Sequence, residues 1–128
     1  VKYLLDINTL IALLNAQHIH HGKASEWYVK NRGGCGFLTC SITELGFVRN
    51  SVQGGYVPDI PTAQFALAAL KQSGGFKLLP DYLGADSLPK YVTKAKDTTD
   101  GHLLALAKRH GAKLATLDTG IPGAELIK

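Results

Sequence analysis

The sequence has no methionine, one tryptophan and two cysteines in 128 residues. Cys35 and Cys40 stand five apart around the apolar pair Phe37-Leu38 and form no C-x-x-C. They offer no disulfide framework and read as reduced thiols, small hydrophobes near the core of a cytoplasmic protein. No apolar run approaches the ~18 residues of a membrane span. No basic, apolar leader opens the chain at Val1, so neither secretion nor a membrane partner is expected. Repeats, low-complexity tracts and linkers are also missing, and the length suits one domain over residues 1–128. Phosphate-cradling loops are lacking too. No G-K-[ST] exists, and Gly33-Gly34-Cys35-Gly36 precedes an expected strand instead of following one, which disfavours P-loop and Rossmann nucleotide binding.

What is present is an ordinary globular composition, 45% hydrophobic and 19% charged. Short apolar runs alternate with helical patterns. Val1–Leu5 reads as a buried strand ending at Asp6, and Asn8 is a candidate cap for the helix that follows. After a polar break at His18–His21, Lys23–Asn31 is helical with Trp27 on its apolar side. Gly36–Thr39 is a second strand, and Ser41-Ile42-Thr43-Glu44 has the form of a capping box opening a helix to about Val52. Pro61 begins a long helix that stops at Gly74-Gly75. Phe76–Leu79 is a third strand, and Ser87–Thr93 is expected as a short helix with Pro89 in its first turn. Thr99–His110 is an amphipathic helix with cations in its last turn, Lys113–Leu117 a fourth strand, and Ala124–Ile127 a weak fifth. Short apolar strands alternating with helices predict a parallel sheet covered on both faces.

The chain has ten acids against fourteen Lys and Arg, a net charge of +4. Four of those acids fall at one kind of place. Asp6 and Asp118 lie just past strands, Glu44 in the first turn after a strand, and Asp100 at the start of the helix before the fourth strand. In a parallel sheet these positions share one rim, where such folds place ligands. Converging carboxylates repel unless a cation intervenes. Oxygen-only ligands are hard and suit Mg2+ or Mn2+. Setting these four charges aside raises the net charge of the remainder from +4 to +8. An acidic metal pocket in a basic surround is what a metal-dependent nuclease needs.

Each acid also has a plainer reading. Glu44 closes its capping box, Asp100 is a favourable first-turn charge, and Asp118 is a turn residue before Thr119-Gly120. Asp6 is hardest to dismiss, because a carboxylate between Tyr3-Leu4-Leu5 and an apolar helix is expensive unless paired or ligated. Their coincidence carries the argument. The His18, His20, His21 group reads as solvated surface, and His102 as a structural histidine.

Three segments, in order and covering nearly the whole chain, are similar to one family. They are Leu4-Leu5-Asp6-Ile7-Asn8-Thr9-Leu10-Ile11-Ala12-Leu13; Ser41-Ile42-Thr43-Glu44-Leu45-Gly46-Phe47-Val48-Arg49; and Thr99-Asp100-Gly101-His102-Leu103-Leu104-Ala105-Leu106-Ala107, continuing through His110-Gly111-Ala112-Lys113-Leu114-Ala115-Thr116-Leu117-Asp118. The chain resembles a PIN-domain ribonuclease, specifically the VapC toxins of prokaryotic VapBC toxin–antitoxin pairs. Trp27 also looks like a family feature. The resemblance implies an α/β/α sandwich with a five-stranded parallel sheet. It implies an acidic quartet at Asp6, Glu44, Asp100 and Asp118, with Mg2+ or Mn2+. It further implies hydrolysis of RNA phosphodiesters and a homodimer held by a cognate VapB antitoxin. Asn8 and Thr116 match polar positions that line such sites. Gly101 stands where alanine is more usual, and Thr119-Gly120-Ile121 brings no further acid after Asp118, which leaves a second metal ion in question.

In the mechanism so implied, Asp6, Asp100 and Asp118 hold one ion, and Glu44 holds the rim of the site, a second ion or the attacking water. Asn8, Thr9 and Thr116 orient carboxylates or waters from behind. Arg49, five residues past Glu44, contacts a flanking phosphate or pairs with an acid. Two other readings compete: a non-catalytic PIN-like module that grips RNA or a protein, and a metal-dependent enzyme, a phosphodiesterase or nuclease, on another phosphate substrate such as single-stranded DNA or a phosphate monoester.

Overall fold

A computed structural model describes residues 1–128. Its strands are β1 (Lys2–Leu5), β2 (Gly36–Cys40), β3 (Lys77–Leu79), β4 (Lys113–Thr116) and β5 (Glu125–Leu126). Its helices are α1 (Ile7–Leu14), α2 (His21–Asn31), α3 (Ser41–Gln53), α4 (Ile60–Gly74) and α5 (Thr98–Arg109). Short 3-10 turns lie at Ala85–Ser87 and Ala95–Asp97. The strands make one parallel sheet in the order β3-β2-β1-β4-β5, with Leu4 opposite Leu38 on one side and Leu114 on the other. This is the PIN-like α/β/α sandwich that the sequence resemblance implies.

The strands are apolar on both faces because both faces are covered. Tyr3 and Leu5 point into one core with Leu10 and Ile11 of α1, Phe47 of α3 and Leu67 of α4. Leu4, Leu38 and Leu114 point into the other, against Leu103 and Leu106 of α5. Trp27 packs edge-on to Tyr3 at 5.0 Å, which confirms its role in the core. Cys40 is fully buried and Cys35 lies against the first core.

Three local expectations differ from the structure. Asp6, not Asn8, caps α1, because its side chain sits one residue before the first helical position. The predicted capping box is displaced by one residue: Cys40 is the N-cap and its N–H donates to Thr43 Oγ1 at 2.9 Å, which frees Glu44 for other work. No helix forms at Ser87–Thr93. Leu88 precedes Pro89 and is held extended, as the steric clash with a following proline dictates, so the turn ends at Ser87.

Candidate active site

Asp6 is 5% exposed and follows Leu5 at the carboxyl end of the central strand. Its Oδ1 accepts from Thr9 N–H at 2.8 Å, and its Oδ2 accepts from the Thr116 hydroxyl at 2.5 Å. Thr116 comes from neighbouring β4, and its Oγ1 accepts in turn from Asp118 N–H at 3.0 Å. A hydrogen-bond chain therefore ties Asp118 to Asp6 across adjacent strand ends. Burial pushes the Asp6 carboxyl up, the bonds from Thr116 and Thr9 pull it down, and Asp118 adds to the rise. The Asp118 side chain also accepts from Gly120 N–H at 2.8 Å, so it is a turn residue and a rim acid at once.

Asp100 lies in the first turn of α5. Burial first, then the negative charges of Asp6, Asp118 and Asp97, raise its carboxyl to about 6. Asp6, Asp100 and Asp118 thus share one electrostatic neighbourhood, and none of them is paired with Lys or Arg. No group of three or more His, Cys, Asp or Glu side chains is gathered as a metal-binding cluster. What suits a hard divalent cation is the chemistry of the donors, carboxylate oxygens without a countercharge.

Two participants escaped sequence reasoning. Asp97 adds its charge to Asp100 from three residues upstream, and that spacing was a usable signal. Tyr91 is the other. Its hydroxyl is buried without a partner, and burial first, then the charges of Asp100, Asp97 and Asp118, push its ionisation upward. It lies within Ser87–Thr93, expected as a helix but irregular in the structure, so helical spacing was no guide to where its side chain turns. An orphaned buried hydroxyl beside uncompensated carboxylates again suits a site completed by solvent or an ion.

Glu44 stands differently. Its Oε2 accepts from the Thr39 hydroxyl at 2.6 Å and from Lys71 Nζ of α4 at 2.8 Å. It is absent from the charges that raise Asp6 and Asp100. Of the four expected acids, three act on one another's charge and the fourth is paired with a lysine. Thr9 is buried behind Asp6, whereas Asn8 is exposed. Arg49 is exposed, meets no acid, and borders an apolar groove of about 640 Å³ with Ile7, Ile42 and Leu45. A Cβ on Gly46 would strike the Ile7 side chain, so glycine there lets α3 close onto α1 beside Asp6. His102 pairs with Asp81 at 2.5 Å and is structural, as expected. The loop histidines are half-buried, not solvated: His18 stacks on Tyr56 at 5.5 Å, and His21 Nδ1 bonds to the Ala12 carbonyl at 2.8 Å.

The model of the PIN domain family matches residues 3–125. Ribonuclease VapC38 of Mycobacterium tuberculosis (strain ATCC 25618 / H37Rv) is 40% identical over 123 residues, spanning 92% of this chain and 86% of that protein. Ribonuclease VapC39 of Mycobacterium tuberculosis (strain CDC 1551 / Oshkosh) is 37% identical over 127 residues, spanning 92% and 89%. Among solved structures, VapBC2 from Rickettsia felis, bound to a DNA fragment from its promoter, superposes with a TM-score of 0.67 at 16% identity and covers 98% of this chain and 97% of that one. FitAcB from Neisseria gonorrhoeae does so with a TM-score of 0.51 at 19% identity, covering 92% and 88%. At those identities the two structures speak to the fold.

Proposed function

The chain belongs to the PIN-domain family and, within it, to the VapC proteins, and from that premise we propose that it is a divalent-cation-dependent endoribonuclease, the toxin of a toxin–antitoxin pair. The observation that carries this reading is that Asp6, Asp100 and Asp118, from three separate segments, disfavour one another's charge and that none of them is paired with a positive side chain. The names of the relatives supply RNA as the substrate class. The assembly named in the Rickettsia felis structure supports a VapB-type antitoxin as partner. In this reading residues 1–128 work as one PIN domain, the active form is a homodimer, and no membrane is involved.

Asp6, Asp100 and Asp118 would hold Mg2+ or Mn2+. The ion would supply positive charge against the scissile phosphate and acidify a water beside it. Thr116 and the Thr9 N–H hold Asp6 in one orientation, one to each carboxylate oxygen. Asp118 is fixed through the same threonine. Asp100 enters from α5, so its placement depends on how that helix seats on the sheet. The remainder of the chain carries +8 once the four rim acids are set aside, which attracts the phosphates on either side of the cut.

Purified protein with an RNA oligomer and Mg2+ is expected to cleave, and to stop when a chelator is added. Asp6→Asn and Asp100→Asn should each reduce the rate about a hundredfold or more. Undiminished cleavage by both variants overturns the mechanism. Equal cleavage of a matching DNA oligomer overturns the substrate class.

A further inference from the structure

Glu44 is the one rim acid with a fixed countercharge. Both of its hydrogen-bond donors use the same oxygen, Oε2: the hydroxyl of fully buried Thr39 and the ammonium of Lys71. Oε1 accepts from no group in the chain. Lys71 reaches across from α4, 27 residues away, and both side chains are largely shielded, 30% and 21% exposed. The only other Lys or Arg contact to an acid, Lys113 to Glu125, is loose at 3.9 Å.

Glu44 follows β2, whose neighbour β1 ends at Asp6, so the pair lies on the sheet edge that carries the proposed ion site, and charge decides what it does there. The Glu44–Lys71 pair is neutral as a unit, whereas Asp6, Asp100 and Asp118 lack any countercharge. A divalent ion gains from the trio, whereas at Glu44 it meets the repulsion of an ammonium already in contact. Resting on the cation-dependent reading above, we propose that Lys71 is a positioning residue that holds Glu44 by its Oε2 and keeps it out of metal ligation. The site then holds one ion, and Glu44 acts through its free Oε1 on water or substrate.

Calorimetric titration of the full chain with Mn2+, without RNA, tests this apart from activity. The wild type should bind one ion. Lys71→Gln should bind Mn2+ about tenfold tighter or take up a second ion, because Glu44 is released. Lys71→Arg should behave as wild type. The double variant Lys71→Gln/Glu44→Gln should return to within about twofold of wild type, because the pair leaves together. A lysine that served only the fold would weaken binding on removal. Weaker or unchanged binding by Lys71→Gln, or a double variant about tenfold weaker than wild type, overturns the proposal. Two ions on the wild type also overturn it while leaving the cation-dependent reading intact, whereas no bound ion defeats both.

Discussion

Asp100 and Thr116 show how single residues set this site's energetics. The Asp100 carboxyl lies at about 6, well above its ordinary 3.8, so the folded protein keeps that proton to higher pH than the unfolded chain does. The stability it contributes is complete below the ordinary value and is lost as pH rises through about 6. In chelator, the melting temperature of the wild type should therefore fall between those limits more than that of Asp100→Asn. Parallel curves for the two proteins would refute the shared carboxylate neighbourhood. Thr116 donates to buried Asp6 and receives from Asp118 N–H. Thr116→Val keeps the volume but strips one donor from a buried carboxylate, a loss of about 2 kcal/mol in urea unfolding. Thr116→Ser retains the hydroxyl and should lose only about 1 kcal/mol, from the missing methyl. Equal losses would mean that the bond to Asp6 contributes nothing.

At the scale of elements, glycine placement explains how helices seat against the rim. Gly101, one residue past Asp100, occupies a position where alanine is the better helix former. A Cβ there would strike Val92 of the preceding segment, so the glycine admits that segment against the start of α5. Valine is stiff about its first side-chain torsion and yields little. Gly101→Ala should therefore stabilise the protein by about 1 kcal/mol more in a Val92→Ala background than in the wild type. Additive effects in thermal or urea unfolding would show that the two groups do not meet. The sequence anticipated most elements through apolar runs and glycine stops, which are local signals. It misplaced those that depended on a neighbour's backbone. The cap of α1 went to Asp6 because that residue alone faces the free Thr9 N–H. The helix expected at Ser87–Thr93 failed because Pro89 holds Leu88 extended.

For the whole molecule, the contrast between an acidic rim and a basic remainder governs encounter with a polyanion. Cleavage under subsaturating RNA should fall steeply and log-linearly as salt rises, at a slope of roughly 0.7 for each phosphate neutralised on a single strand. A flat salt profile would remove the cationic surface from substrate binding. The layered sheet and the rim positions of Asp6, Asp100 and Asp118 were legible in the sequence. An acid directly after an apolar strand, or in a helix's first turn, lands on that edge in any parallel α/β fold. The tertiary structure alone decided the partition among the acids. Glu44 was drawn to Lys71 because α3 packs on α4, a contact between residues 27 apart. Asp97 and Tyr91 joined the trio because the chain before α5 folds back over its start. Periodicity reports which way a side chain faces; which charge it meets there depends on how distant segments pack.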